Sequence, residues 1–190
     1  MDLYNVLLAI CSFFVRILYR IEVVGQTDLE ENKAYIIASN HTSLVDPIVL
    51  AMVFKGRRIH FLGKKELFKP PLFDWIFKNV GVIPVDRSKN DITAVKNVLR
   101  LLKSDRILGI FPQGTRVRQI DEDQSKAGLG MFALKTGTDI VPVTIQGQYK
   151  LFSKVRVLVH DIYRPNPELF SPGTQGYLTL SDEVMNIIRG

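Results

Sequence analysis

Seven short apolar runs punctuate the chain, at residues 21–24, 34–38, 59–62, 80–85, 107–111, 140–145 and 155–159. Several are unbroken rather than alternating, the pattern of strands covered on both faces. Segments of helical character lie between them. Residues 47–54 follow Asp46-Pro47, a start signal with aspartate as N-cap and proline at the first helical position. Residues 71–79 put Leu72, Trp75 and Ile76 on one side, and 91–103 repeat Ile92, Val95, Val98, Leu99 and Leu102 at helical period. Residues 127–135 stop before Gly137, and 181–188 close the chain, with Ser181 and Val184 bracketing a first turn. Strands alternating with helices predict a single α/β domain with a mainly parallel central sheet flanked by helices on both faces. Ligands of such sheets sit beyond the carboxyl ends of the strands. Pro142, inside one of the runs, suggests an edge strand or a special turn.

A chain of 190 residues is long enough for one sizeable core. Apolar residues at 46% and charged residues at 23% exclude wholesale disorder. The net charge of +6 suits an anionic partner: nucleic acid, a phosphorylated small molecule or an anionic lipid surface. The single cysteine, Cys11, forbids a disulfide within the chain, fits a reducing compartment, and in its apolar run reads as a buried, inert thiol.

The N-terminus sets the membrane question. Residues 3–15 are almost wholly apolar, and Arg16 and Arg20 follow. The run is shorter than the ~20 apolar residues a spanning helix needs. A signal peptide carries its positive charge before the apolar core, whereas here Asp2 precedes and the arginines follow. Two readings stay open: a helix packed on the core, or a helix lying in one leaflet with the arginines at the headgroups. Apolar residues on nearly every face favour lipid. Residues 1–20 are therefore expected to be a membrane-associating helix, and 21–190 the folded domain.

Three constellations carry chemistry. His41 and Asp46 stand five positions apart, just after the run 34–38, in Asn40-His41-Thr42-Ser43-Leu44-Val45-Asp46-Pro47. A histidine oriented by a carboxylate removes a proton from a hydroxyl near neutral pH. The spacing alone equally allows a turn histidine beside an aspartate that only caps a helix. Phe111-Pro112-Gln113-Gly114-Thr115-Arg116 also follows an apolar run. Gly114 permits close backbone approach, Thr115 donates a hydrogen bond and Arg116 forms a forked pair with phosphate; a tight loop with a solvated arginine is the alternative. Gly63-Lys64-Lys65 and Gly81-Val82-Ile83-Pro84-Val85-Asp86-Arg87 deliver further cations, which either converge with Arg116 on one phosphate or lie solvated.

In this order the blocks resemble the lysophospholipid acyltransferase family that includes the 1-acyl-glycerol-3-phosphate (lysophosphatidate) acyltransferases. That family carries an Asn-His-x4-Asp block, a Gly-x-Ile-x-x-Asp-Arg block, a Phe-Pro-Glu-Gly-Thr-Arg block and a Val-Pro-Val block. All have counterparts here, over roughly residues 22 to 160. The resemblance implies transfer of an acyl chain from acyl-CoA or acyl carrier protein to the free hydroxyl of lysophosphatidate, giving phosphatidate in phospholipid biosynthesis. It implies His41 as general base, Asp46 as its orienting partner, and Lys65, Arg87, Gln113, Gly114, Thr115 and Arg116 around the acceptor's phosphate. It implies no covalent acyl-enzyme, no metal, no cofactor beyond the donor substrate, and no nucleic acid. The partner is then the lipid bilayer, with the protein on the cytoplasmic face of the membrane, peripheral or monotopic. Another acceptor (a different lysophospholipid, glycerol-3-phosphate or an ornithine-type lyso-lipid), thioester hydrolysis, and a degenerate lipid-binding protein are the rival readings. Gln113 departs from the family's usual glutamate, keeping the shape and an acceptor oxygen while losing the charge. Gln113→Glu is expected to change the acceptor KM more than turnover.

Overall fold

A computed structural model of the chain describes residues 2–86, 91–112 and 127–190. All seven apolar runs contribute strands: β1 (Arg20–Val24), β2 (Tyr35–Ser39), β3 (Ile59–Lys64), β4 (Ile83–Val85), β5 (Ile107–Ile110), β6 (Asp139–Gly147) and β7 (Lys154–Val159). They form one sheet in the order β1-β7-β6-β2-β5-β3-β4. The helices are α1 (Leu3–Leu18), α2 (Asp46–Val53), α3 (Pro71–Val80), α4 (Ile92–Leu102), α5 (Gly128–Thr136) and α6 (Thr174–Arg189). The result is the expected α/β domain.

Most of the sheet is parallel. β6, β2, β5, β3 and β4 run in one direction, β7 pairs antiparallel with β6, and β1 pairs parallel with β7. The carboxyl ends of β6, β2, β5, β3 and β4 therefore share one sheet edge. Strand β2, at the centre, is buried along its whole length. Its side chains alternate between two cores. Tyr35 and Ile37 join Val49, Leu50 and Phe54 of the α2 segment and Val15 of α1. Ile36 and Ala38 join Val98 of α4, Leu129 of α5 and Val184 of α6 on the opposite face. A strand read as continuously apolar is thus one with helices on both sides.

Four local expectations are corrected. Pro142 lies on β6, an interior strand. Its missing N–H falls at the end of the β7 ladder, between the Ile140–Tyr163 bridge and the His160 N–H that donates to the Pro142 carbonyl at 3.0 Å. Residues 80–82 are not strand: Val80 ends α3, and Gly81 turns the chain at φ 82°. A Cβ there would come within 2.4 Å of the His60 ring, so the left-handed turn and the close approach both require glycine. Helix α6 begins at Thr174 rather than 181, and Ser181 lies buried inside it, its Oγ accepting from the Gly130 N–H of α5 at 2.9 Å. Cys11 is half-buried on α1 rather than buried.

Helix α1 has two apolar sides. Val15 is buried, and Leu8 and Tyr19 pack against the core. Ile10, Phe13, Phe14 and Ile17, at i, i+3, i+4 and i+7, are each half or more exposed. No helix among the described residues is long and apolar enough to cross a membrane.

Candidate active site

The site grows from the point where β2 leaves the sheet. The β2–β6 backbone ladder ends at Ser39–Val143. Asn40, fully buried, extends it with its side chain: Nδ2 donates to the Ile145 carbonyl at 2.8 Å and Oδ1 accepts the Ile145 N–H at 2.7 Å. This amide rung fixes the chain just before His41, and the turn that follows returns Asp46 to it.

Asp46 is the first residue of α2 and is completely buried. It does not cap the helix as the sequence suggested; the cap position is Val45, with no side-chain bond. The carboxylate turns back into the turn instead. Oδ2 accepts from His41 Nδ1 at 2.8 Å, Thr42 N–H at 2.6 Å and Ser43 N–H at 2.7 Å. Oδ1 accepts from the Tyr149 hydroxyl at 2.6 Å and, at the limit of a hydrogen bond, from the Thr42 hydroxyl at 3.5 Å. A buried charge is costly unless every lone pair is met, and here donors surround both oxygens. The start of α2 adds its own favourable field.

A carboxylate can only accept, so His41 Nδ1 carries the proton in this contact. Nε2 of the neutral ring then holds a lone pair, and no described residue hydrogen-bonds it. The ring is nearly parallel to Phe111, with centroids 4.0 Å apart and planes at 19°. Phe111 stacks in turn on Phe61 at 6.0 Å. The imidazole is therefore held by a carboxylate on one nitrogen and an aromatic face on its plane, and Nε2 has no hydrogen-bond partner among the described residues.

Lys64 and Lys65 stand at the same sheet edge. Lys64 ends β3 opposite Val85 of β4, so Lys65 and Asp86 leave the sheet side by side. Lys65 Nζ lies 3.8 Å from Asp86 Oδ2, and its side chain is largely exposed. Arg87, Gln113, Gly114, Thr115 and Arg116 lie outside the described residues. They follow directly in sequence on Asp86, at the carboxyl side of β4, and on Phe111-Pro112, at the carboxyl end of β5.

Three site residues carried no role in the sequence reading: Asn40, Phe111 and Tyr149. Asn40 and Phe111 stood inside the quoted blocks. Tyr149 had only its position as a signal, two residues past the carboxyl end of β6 on the edge where ligands collect. Burial, and then the adjacent Asp46 charge, push its phenol above the usual tyrosine range, so it remains a donor.

Residues 20–146 match the acyltransferase family model. The chain belongs to the acyltransferase family. It is 32% identical over 127 residues to the 1-acyl-sn-glycerol-3-phosphate acyltransferase of Bacillus subtilis (strain 168), covering 67% of this chain and 63% of that one. The enzyme of the same name from Borreliella burgdorferi is 33% identical over 137 residues, covering 71% and 54%. That from Streptococcus pneumoniae is 33% identical over 122 residues, covering 64% and 45%. The chain thus spans less than two thirds of the length of each of these relatives. Its fold matches the crystal structure of the 1-acyl-sn-glycerophosphate (LPA) acyltransferase PlsC from Thermotoga maritima, with a TM-score of 0.73 over 98% of this chain and 78% of that one, at 22% identity.

Proposed function

We propose that this acyltransferase-family chain transfers an acyl group from an acyl thioester to the free hydroxyl of 1-acyl-glycerol-3-phosphate, forming phosphatidate. The observation that carries the reading is the His41–Asp46 pair, 2.8 Å apart, at the carboxyl edge of the sheet, with no described residue hydrogen-bonded to Nε2. His41 Nε2 takes the proton from the acceptor hydroxyl, and Asp46 balances the imidazolium that forms. The oxygen attacks the thioester carbonyl, the tetrahedral intermediate expels the thiolate, and the imidazolium returns the proton to the sulfur. The ester forms directly, without an acyl-enzyme. In this reading Lys65, Arg87 and Arg116 offer charge to the acceptor's phosphate, and Gly114 and Thr115 offer N–H and O–H donors. Gln113 shapes the same loop. The donor is acyl-CoA or acyl carrier protein.

The outer face of α1 supports a bilayer as partner, and in this reading the protein lies on its cytoplasmic face. Phe13 and Phe14 are exposed, and Arg16 stands beside them at the end of the helix. The Phe13→Ser and Phe14→Ser changes each remove ~1.5 kcal/mol of apolar burial in lipid, about a tenfold loss of vesicle binding per residue. Sedimentation with anionic phospholipid vesicles measures it.

Radiolabelled acyl-CoA and acyl carrier protein, each supplied with lysophosphatidate, with other lyso-lipids, with glycerol-3-phosphate and with no acceptor, test the reaction. Transfer to lysophosphatidate alone supports the reading and names the donor. Release of free fatty acid without acceptor points to a hydrolase, and absence of turnover to a lipid-binding protein.

A further inference from the structure

We infer that Tyr149 is a positioning residue for the proton-transfer pair, holding Asp46 against His41, and that Tyr19 at the end of α1 holds Tyr149 in turn. This rests on the acyl-transfer reading of the His41 turn. The two oxygens of Asp46 are not equally held. Oδ2 is gripped by His41 Nδ1 and by the N–H groups of Thr42 and Ser43. Among the described residues, Oδ1 has the Tyr149 hydroxyl at 2.6 Å and otherwise only the 3.5 Å contact of Thr42. Without Tyr149 the carboxylate is free to rock about its last torsion. The contact to His41 then loosens in the plane that sets the direction of Nε2.

Tyr149 is itself braced. Its ring meets Tyr19 edge-on, with centroids 5.2 Å apart and planes at 85°. Tyr19 closes α1, its N–H donating to the Val15 carbonyl at 2.9 Å. The loop that carries Tyr149 is tied to the same place. The Phe152 N–H donates to the Leu18 carbonyl at 2.7 Å, and the Arg20 N–H to the Ser153 carbonyl at 2.9 Å. Phe152 adopts φ 60°, a conformation a non-glycine residue keeps only where its surroundings impose it. A continuous chain of contacts thus runs from the end of α1 through Tyr19 and Tyr149 to Asp46 and His41. The groups facing Asp46 are His41, Thr42, Ser43 and Tyr149, so the phenol is the part of this set that α1 governs.

Tyr149→Phe keeps the packing on Tyr19 and removes only the donor. Loss of one hydrogen bond to a charged group lowers kcat about tenfold, with KM for both substrates within about twofold. The acidic limb of the kcat/KM profile moves to higher pH, because a carboxylate with one donor fewer holds a neighbouring positive charge more strongly. Tyr149→Leu, which also removes the packing, is slower still. Tyr19→Ala reproduces part of the kcat loss. Tyr163→Phe, which removes a hydroxyl bonded to Glu183 far from the pair in sequence and in the fold, is silent in the assay.

A second readout is independent of turnover. The His41 Nδ1–H resonance in histidine-labelled protein, identified by its loss in His41→Gln, is expected far downfield and sharp in the wild type and broadened in Tyr149→Phe. An unmoved acidic limb and an unchanged resonance in Tyr149→Phe overturn the inference. If that variant does not fold, a ring-fluorinated tyrosine at 149 replaces it. The stronger donor then moves the acidic limb to lower pH, and no movement overturns the inference equally. If the wild type transfers no acyl group, the functional reading fails while the resonance still decides the role of Tyr149.

Discussion

His41 and His60 use the same atom in the same way and reach opposite ends. Each donates from Nδ1, His41 to the Asp46 carboxylate at 2.8 Å and His60 to the Gly81 carbonyl at 2.9 Å. Each sits at one end of a parallel strand, His41 past the carboxyl end of β2 and His60 near the start of β3. The difference is what answers a second proton. Beside His41 lies a full negative charge. Around His60 lie a carbonyl dipole, a buried site and the guanidiniums of Arg106 and Arg58. Burial first, and those cations after it, push His60 below the ordinary histidine range. In the proposed reaction one ring accepts a proton; the other is a neutral strut under the α3 turn. Residue type does not separate them, and the charge of the partner does.

The largest test removes each ring. His41→Ala is expected to lower acyl transfer by roughly 10³- to 10⁴-fold. His60→Gln, whose amide N–H still reaches the Gly81 carbonyl, is expected to stay within about twofold. Steady-state rates with lysophosphatidate as acceptor measure both, and an active His41→Ala breaks the comparison at once. Asp46→Asn asks whether the charge is what matters. It keeps the shape, places an NH2 among donors, and is expected to cost roughly 10²- to 10³-fold. A near-normal rate would reduce Asp46 to a structural residue and put the two histidines in one class.

A smaller effect sharpens the contrast in how each ring is held. His60 is fixed by its own strand, whereas His41 lies past the end of β2 and depends on the Asn40 rung to Ile145. Asn40→Ala leaves a buried N–H and a buried carbonyl without partners, and about 3 kcal/mol of stability is expected to go with them. Urea unfolding measures the loss. Recovery of full activity in the fraction that stays folded would show that the rung serves the sheet and not the ring.

Much of this arrangement was legible in the sequence, and the failures have physical causes. Strands β2, β5 and β6 declared themselves because burial on both faces demands unbroken apolar runs. The His41–Asp46 pair was visible as two residues at a strand–helix junction, but its spacing alone also fitted a helix cap. Only the fold distinguishes these, by turning the carboxylate back toward Thr42 and Ser43. Tyr149 was hidden because its partner lies 103 positions away, across the sheet. The early start of α6 was hidden because Gly176 and the threonines of its first turns are poor helix formers. Close packing overrides that preference: a Cβ on Gly176 would come within 2.0 Å of the Ser171 carbonyl oxygen. Pro142 misled because the rule against proline in a central strand concerns a ladder bond, and the β7 ladder has already ended beside it.

The smallest effect concerns the pH dependence of stability and isolates the strut. His60 is buried, and that burial holds its folded-state pKa below the ordinary histidine value of about 6.5. The folded protein therefore holds fewer protons at this site than the unfolded chain once the pH falls below about 6.5. Its contribution is fully present above that pH and is lost as the pH falls toward the lowered folded value. His160, also lowered by burial, adds a loss of the same sign. Replacing His60 by Gln keeps the bond to Gly81 and removes the titration, leaving His160 in both proteins. Denaturant midpoints at pH 7.5, 6.5 and 5.5 should fall less steeply for His60→Gln than for the wild type. Parallel slopes would mean that the ring takes up a proton as easily folded as unfolded. Its surroundings would then be no more hostile to charge than water, and the line drawn between the two histidines would rest on the Asp46 carboxylate alone.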